Sequence, residues 1–461
     1  MTKGRGRGRD RGPGISPILL CGRASALALV AVTLAGLAGA GAGRVPPGPL
    51  NLVLISLDTL RADHVGAFGY DQPTTPRLDA FLRRATLFRR AVAQAPSTIP
   101  SHASLLTSLD ASAVTTGKQL REDATTLAEQ LGEAGFATWG FVDGGNMSRP
   151  FGFAQGFDHY EDQRIGAAAL AGRALAWLDE HPAEPFFLFV HTYEIHTPYT
   201  GDPRYTALFG EPGRLDTTPL GARYFHALER RGTPVAAADL REFVARYDAG
   251  IRKADDAIGE FLEGLERQGL LERTLVVLLA DHGEEFLEHG RFGHVQLFLD
   301  PNLRVPLAFR VPGVAARRID QTVELTDVVP TVRALLGLVP LAGLVGRDLS
   351  GAILRGAALD PEHAAYAQLG QARGAHTVVR GRYQLMVERR TGTARLYDLA
   401  ADPRGARDIA AARPELVAAL RPLLERRLAI ADARTRGGVA TGPRLDAGLR
   451  HDLEVLGYIE E

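Results

Sequence analysis

Short apolar runs alternate with longer stretches of helical spacing along this chain, and three of the runs end in acidic residues or histidine. Leu52-Val53-Leu54-Ile55 leads to Asp58, Phe186-Phe187-Leu188-Phe189-Val190 to His191 and His196, and Leu275-Val276-Val277-Leu278-Leu279 to Asp281-His282. Continuous runs rich in β-branched and aromatic residues read as buried parallel strands. In an open α/β sheet, ligands gather at the carboxyl ends of such strands. The pattern therefore predicts an α/β fold, a mostly parallel sheet flanked by helices, with residues distant in sequence delivered to one edge.

Between the runs, helical spacing predicts helices around Pro76 to Ala85, from Thr125 to Ala134 with Gly135 as terminator, and from Ile165 to Leu178. A longer one is expected from Asp239 to Leu270, with Phe243, Tyr247, Ile251, Ile258 and Leu262 on its core face and Gly269 near its end. Ala137 to Val142 reads as a further strand. From Thr200 to Pro234 periodicity fades while Gly, Pro and Arg accumulate, which predicts a long surface loop of the kind that often shapes a substrate entrance. Beyond Pro361 the pattern shortens to strands at Thr377 to Val379 and Tyr383 to Val387, a turn at Thr391-Gly392, and a helix from Pro414 to Ala429. A small C-terminal α+β subdomain over 359–461, packed on the large sheet, is the expectation, with Leu453 to Ile459 docking as a short tail.

A length of 461 residues accommodates one large domain, expected over 50–358, plus this smaller piece, since single cores rarely grow much beyond about 250 to 300 residues. A formal net charge of -1 gives no reason to expect a nucleic-acid partner, so an anionic substrate must be attracted locally by a metal or a few cations. Residues 1–45 are different in kind. Lys3, Arg5, Arg7, Arg9 and Arg11 precede an apolar stretch from Ala24 to Ala40 that ends in small residues, which reads as a signal peptide or N-terminal membrane anchor. Arg23 holds the uninterrupted run below the ~20 residues of a comfortable span, which favours cleavage. The protein is accordingly expected to be exported: periplasmic, secreted, or anchored to the membrane by its N-terminus. Cys21 is the single cysteine, so no intramolecular disulfide is available, and it reads as part of the leader.

Ala95 to Thr107 looks like a loop turning into a helix, with Pro100 suited to the first turn. A hydroxyl there faces unpaired backbone N–H groups, which favour an anion by a few tenths to about 1 kcal/mol. Thr98 could attack an ester bound at this helix start; equally, Ser97 or Thr98 could serve only as an N-cap.

The segment Asn51 to Gly66, with Asp58-Thr59-Leu60-Arg61-Ala62-Asp63-His64, resembles the opening motif of the sulfatase family within the alkaline phosphatase superfamily. So does Pro100-Ser101-His102-Ala103-Ser104-Leu105-Leu106-Thr107. The resemblance continues through Phe187 to Tyr199, Ala280 to His294, Arg304-Val305-Pro306, Leu396-Tyr397-Asp398-Leu399 and Asp402-Pro403. It implies an alkaline phosphatase-like fold in which Asp58, Asp281 and His282 bind one divalent metal that also contacts the Thr98 nucleophile oxygen. Carboxylate plus imidazole suits zinc or manganese, and carboxylates alone would suit calcium. The resemblance also implies that His196 and His294 stabilise the substrate or protonate the leaving group, although each alone would more often be an ordinary core or surface histidine.

Typical members carry a Cys or Ser, converted to formylglycine, where this chain has Thr98, and an Arg where it has His102. Threonine cannot undergo that conversion. A formylglycine hydrate eliminates sulfate from a geminal diol, but a threonine ester has no second hydroxyl and must be cleaved by water at sulfur or phosphorus. Threonine nucleophiles occur in phosphodiesterase, phosphonate hydrolase-like and phosphotransferase branches of the superfamily, so the chemistry leans toward phosphoryl transfer. Thr59 replaces the second acidic residue of the opening pair, and Asp143-Gly144-Gly145 replaces the Lys-x-His that follows the Ala137 strand. The site thus has fewer cations, for which His102 or Lys118 are the candidates to compensate, a solvated surface charge being the commoner role of a lysine. A second metal would need Glu194, His191, His196 or His294, without an additional Asp and His cluster to complete the set.

The expected activity is metal-dependent cleavage of sulfuric or phosphoric esters through a covalent Thr98 intermediate, leaning to phosphoester or phosphonate ester. The substrate would be a sulfated or phosphorylated small molecule, lipid or glycan. One alternative is a membrane-associated phosphotransferase that passes the group to a lipid or glycan hydroxyl. The other is an inactive anion- or glycan-binding homologue, motivated by the missing Arg and Lys.

Overall fold

The computed structural model describes residues 48–459 apart from 183–184, 200, 211–233, 295–296, 298, 370–373, 436–442 and 444. The leader expected over 1–45 and most of the loop expected between Thr200 and Pro234 therefore lie outside the described residues. Among those described, no helix is long and apolar enough to cross a membrane.

The main sheet has nine strands: β1 (Asn51–Leu57), β2 (Thr86–Val92), β3 (Ala137–Val142), β4 (His159–Glu161), β5 (Phe186–Thr192), β6 (Thr274–Leu279), β7 (Arg304–Arg310), β8 (Arg317–Ile319) and β9 (Val323–Glu324). Their order is β8-β2-β7-β6-β1-β5-β3-β4, with β9 also on β2. Strands β1, β5 and β6, the three apolar runs of the sequence, lie side by side, and every residue in them is buried. Full burial on both faces is why they carry continuous apolar sequence rather than alternation.

Pairing is parallel except at β7, which runs antiparallel to both β6 and β2. This reversal positions the site. An antiparallel neighbour needs no crossover helix, so the connection 280–303 stays at the carboxyl edge of β6 and carries Asp281, His282, Glu284 and His294 there together. The register continues the alignment: Ser56 of β1 pairs with His191 of β5 and with Leu279 of β6.

The long helix Ala237–Arg267 buries Phe243, Tyr247, Ile251, Ile258 and Leu262, as its spacing predicts. Its Asp255 carboxylate accepts the Arg77 and Leu78 N–H groups at 3.0 and 2.7 Å, satisfying open donors of the Pro76–Leu82 helix. The helix Leu127–Glu133 begins at Thr126 with a capping box to Glu129. Toward the C-terminus, strands Ala364–Leu369, Ala375–Arg380, Tyr383–Glu388 and Ala394–Asp398 form a separate four-stranded antiparallel sheet. The helix Pro414–Arg434 shares a core with it through Val378, Leu385, Leu396, Leu420 and Leu424. Arg427 of that helix ties it to the main body through Asp110 at 2.7 Å.

Candidate active site

Asp58 is the first residue past β1, and its N–H still bonds to Thr192 O of β5 at 3.2 Å. Thr59 then turns the chain sharply at φ 60, a conformation that costs a β-branched residue energy and persists only where its surroundings impose it. The Tyr247 hydroxyl imposes it here. It donates to Thr59 O at 2.8 Å and accepts the Arg61 N–H at 2.9 Å. Where the sequence pattern suggested only a lost carboxylate, Thr59 donates its hydroxyl to Asp58 O at 2.7 Å and its N–H to Asp281 Oδ1 at 3.3 Å.

Asp58, Asp281 and His282 are completely buried, and one ligand atom from each lies within 4.8 Å of the others. Asp58 Oδ1, Asp281 Oδ2 and His282 Nε2 have no hydrogen-bond partner. Buried polar atoms are normally paired, so three orphans converging on one point describe a place for a cation. The proton arrangement agrees. His282 Nδ1 donates to Gly283 O at 2.9 Å, which leaves Nε2 as a lone pair aimed at the cluster. Burial drives the His282 pKa down to about 3, keeping the ring neutral. Burial pushes the Asp58 carboxyl well above its usual range, reinforced by the Asp281 charge, and burial likewise raises Asp281. A bound cation would relieve that penalty, and two carboxylates with one neutral imidazole suit a divalent ion.

The helix Thr98–Thr107 starts at the nucleophile candidate itself. Neither Ser97 nor Thr98 caps it through a side chain. The Thr98 hydroxyl points instead into the site, with Oγ1 3.3 Å from Asp58 Oδ2 and 2.9 Å from the Tyr458 hydroxyl. Tyr458 in turn lies 2.9 Å from His196 Nε2. Because His196 Nδ1 is committed to Thr197 O at 2.6 Å, its Nε2 accepts and the phenol donates. The Thr98 hydroxyl donates to Asp58 Oδ2. Burial and then the Asp58 charge hold the phenol well above the ordinary tyrosine range, so it remains protonated.

His294 closes the ring, its imidazole centroid 5.1 Å from that of His196 and 4.6 Å from that of His282. Its Nδ1 bonds to Glu284 Oε1 at 3.1 Å, and Tyr199 donates to the other Glu284 oxygen at 3.1 Å. Burial pulls against the charged form of His294, but the charge and hydrogen bond of Glu284 outweigh it and raise its pKa. At His196 burial dominates and lowers the pKa far below the usual value.

His102 does not fill the role of a compensating cation. It is completely buried behind the cluster, 2.9 Å from Ser56 Oγ and 3.4 Å from Asp281 Oδ2, and burial lowers its pKa. Its Nδ1 is committed to Thr98 O at 3.0 Å. Lys118 is exposed, and its Nζ reaches the Tyr458 carbonyl at 3.5 Å rather than the ring. Glu194 is held by Lys253 at 2.6 Å and by the Ala167 N–H at 3.1 Å. His191 donates to Asp58 Oδ2 at 3.2 Å from beneath. Tyr458, Glu284 and Tyr199 went unrecognised in sequence. Glu284 had a local signal, two residues past His282, whereas Tyr458 is a lone aromatic in a tail.

The model of the sulfatase family matches residues 50–338. The chain belongs to the sulfatase family. It is 27% identical over 344 residues to an ulvan-active sulfatase of Formosa agariphila, a match that spans 66% of this chain and 65% of that relative's length. Over 189 residues it is 28% identical to the multifunctional alkaline phosphatase superfamily protein PehA of Trinickia caryophylli, covering 36% of this chain and 37% of the other. In fold, this sulfatase-family chain superposes on the phosphonate monoester hydrolase of Agrobacterium radiobacter with a TM-score of 0.69 over 84% of its residues and 96% of the hydrolase, at 21% identity. Both the ligand trio and Thr98 fall inside the family match.

Proposed function

We propose that this protein is an exported, metal-dependent hydrolase of sulfuric or phosphoric esters that works through a covalent Thr98 ester. Its chemistry would lean to phosphate diesters and phosphonate monoesters. The observation that carries this reading is the Thr98 hydroxyl, aimed from a helix start at a buried trio whose three unpaired atoms converge. Asp58, Asp281 and His282 would hold the cation, with Thr98 Oγ1 beside it. When bound, a divalent ion supplies a Lewis acid that lowers the hydroxyl's pKa and screens the ester's charge.

Thr98 Oγ1 would pass its proton to Asp58 Oδ2, to which it donates at 3.3 Å, and form a bond to phosphorus or sulfur as the bond to the leaving oxygen breaks and that oxygen keeps the electron pair. The first turn of the Thr98–Thr107 helix faces the transferred oxygens. His294, oriented by Glu284, is placed to give a proton to the leaving oxygen. His196, with Nδ1 committed to Thr197, would offer Nε2, once the Tyr458 phenol turns from it to the bound ester, as an acceptor for a proton from the water that cleaves the Thr98 ester.

Relatives named for ulvan sulfate and for phosphonate monoesters support a sulfated or phosphorylated small-molecule or glycan substrate. Export rests on the basic and then apolar pattern of residues 1–45. The test is turnover of matched aryl sulfate, phosphate monoester, phosphate diester and phosphonate monoester by the purified protein, with and without chelator, beside Thr98→Ala. Chelator-sensitive phosphoester cleavage that the variant lacks is the expected result. Full turnover by Thr98→Ala would remove the covalent mechanism.

A further inference from the structure

Leu449, Leu453 and Leu456 bury one face of the tail helix Ala447–Val455 and its last turn. The helix is capped by Asp446, whose carboxylate accepts the Leu449 N–H at 2.8 Å, and it packs against the turn Gly145–Met147. Gly145 makes that packing feasible, since a β-carbon on it would stand 2.8 Å from both Leu456 Cδ1 and Tyr193 Cε2. At the other end Gly457 adopts φ 82. Its N–H bonds to Glu454 O at 3.1 Å and the Tyr458 N–H bonds to Leu453 O at 2.8 Å, a Schellman closure. The reversal that follows turns the Tyr458 side chain into the ring.

We infer that the Tyr458 hydroxyl is a substrate-binding donor that stands where a cation is expected, and that it restricts the site to esters whose transferred group carries a single negative charge. The inference rests on the proposed roles of Thr98 and the ligand trio. Three observations lead to it. The hydroxyl is 2.9 Å from the nucleophile oxygen, so its proton, which rests on the His196 Nε2 side, reaches an oxygen on any group bonded to Thr98 by turning about the phenol C–O bond. Gly145, the last residue of the Asp143-Gly144-Gly145 segment that replaces Lys-x-His, seats the tail against Leu456. Tyr193 adds a second phenol at the ring, 6.5 Å from the Tyr458 ring between centroids, its hydroxyl buried beside the others.

The charges give the selectivity. Among the described residues, no lysine or arginine side chain hydrogen-bonds to Asp58, Thr98, His196, Asp281, His282, His294 or the Tyr458 hydroxyl. Arg61 is engaged by Asp63 at 2.8 Å and Glu288 at 2.6 Å, and Arg164 reaches His196 through its charge alone. Two carboxylates and one divalent ion sum to about zero, and the charge of a protonated His294 is matched by Glu284 at 3.1 Å, so the pocket carries no surplus positive charge. Sulfate monoesters, phosphate diesters and phosphonate monoesters present one negative charge. Phosphate monoesters, with a second pKa of about 6, present nearly two at neutral pH.

The experiment uses the metal-loaded full-length chain, Tyr458→Phe, Tyr458→Lys and Thr98→Ala. For each, kcat/KM is measured on a phosphate diester, a phosphonate monoester, an aryl sulfate and a phosphate monoester, with melting temperature and metal content as controls. The Kd of the intact esters is measured in Thr98→Ala and in Thr98→Ala combined with Tyr458→Lys. Tyr458→Phe is expected to lower kcat/KM on singly charged esters about 100-fold, the typical loss of one preorganised donor, with metal content unchanged. Tyr458→Lys is expected to raise the monoester-to-diester ratio about 10-fold or more, in turnover and in Kd.

Tyr458→Phe as fast as or faster than the parent would overturn the inference, the faster case identifying the phenol as a plug that substrate displaces. An unchanged ratio in Tyr458→Lys would overturn the charge selection. Full turnover by Thr98→Ala removes the covalent reading without touching the Kd comparison, so the two failures are distinguishable.

Discussion

Asp58 and Asp281 reach the Thr98 hydroxyl's surroundings from the ends of two adjacent central strands, whereas Tyr458 reaches the same hydroxyl from a nine-residue helix 360 positions away in sequence. The carboxylates are placed by the sheet itself. Displacing them would require opening strands in which every side chain is buried, at a cost comparable to global unfolding. The tail is held by three buried leucines, one cap and one left-handed glycine. A site assembled this way has a rigid half that would bind the cation and a conditional half that would meet the substrate, so perturbations of the two should separate in experiment.

The largest effect is expected on the rigid half. Asp281→Asn removes a ligand and leaves His282 Nε2 facing a neutral amide, so metal content by elemental analysis should fall well below one ion per chain and kcat/KM by about 1,000-fold or more. Deleting residues 446–461 tests the other half. Turnover of singly charged esters should drop about 100-fold while metal content stays at the parent level. Loss of metal along with the tail would break the comparison, because it would mean that the tail also organises the trio.

Tyr247→Phe probes the rigid half without touching a ligand. It removes the donor to Thr59 O and leaves the Arg61 N–H without its acceptor, which should lower stability by about 1 to 3 kcal/mol in denaturant unfolding. Gly457→Ala, at φ 82, should cost about 1 kcal/mol locally. Hydrogen exchange should quicken over 447–459 with the global melting temperature nearly unchanged, and turnover should fall only a few-fold. A global destabilisation from this single change would show that the tail belongs to the folding core.

The contrast also explains what the sequence revealed. Fully buried strands need continuous apolar residues, so β1, β5 and β6 were legible, and the trio with them, because chemistry sits where those runs stop. The direction of β7 was not legible. Arg304–Arg310 reads as a strand either way, and only pairing decides that it runs back from the site edge. Thr98 stayed ambiguous because a nucleophile and an N-cap have the same local sequence; in the fold neither it nor Ser97 makes a side-chain cap. Asp143-Gly144-Gly145 read as a deletion of charge, yet Asp143 accepts the Ile165 and Gly166 N–H groups at 2.8 and 2.9 Å, and Gly145 gives room to Leu456. His102 looked like a replacement cation because charge type is visible in sequence and burial is not. Tyr458 had no pattern to announce it, since one aromatic in a tail carries no periodicity.

The glycine wall on which the tail helix rests bears as well on how a catalytic cycle would finish. Hydrolysis of a singly charged ester yields a phosphate monoester, a phosphonate or inorganic sulfate, each of which carries more charge than the group that entered. A lysine on that wall would hold this ion after the bond was cut; Gly144, Gly145 and a phenol give it little to cling to. Inhibition by these dianionic products should therefore be weak, and clearance of the pocket fast relative to the chemical steps.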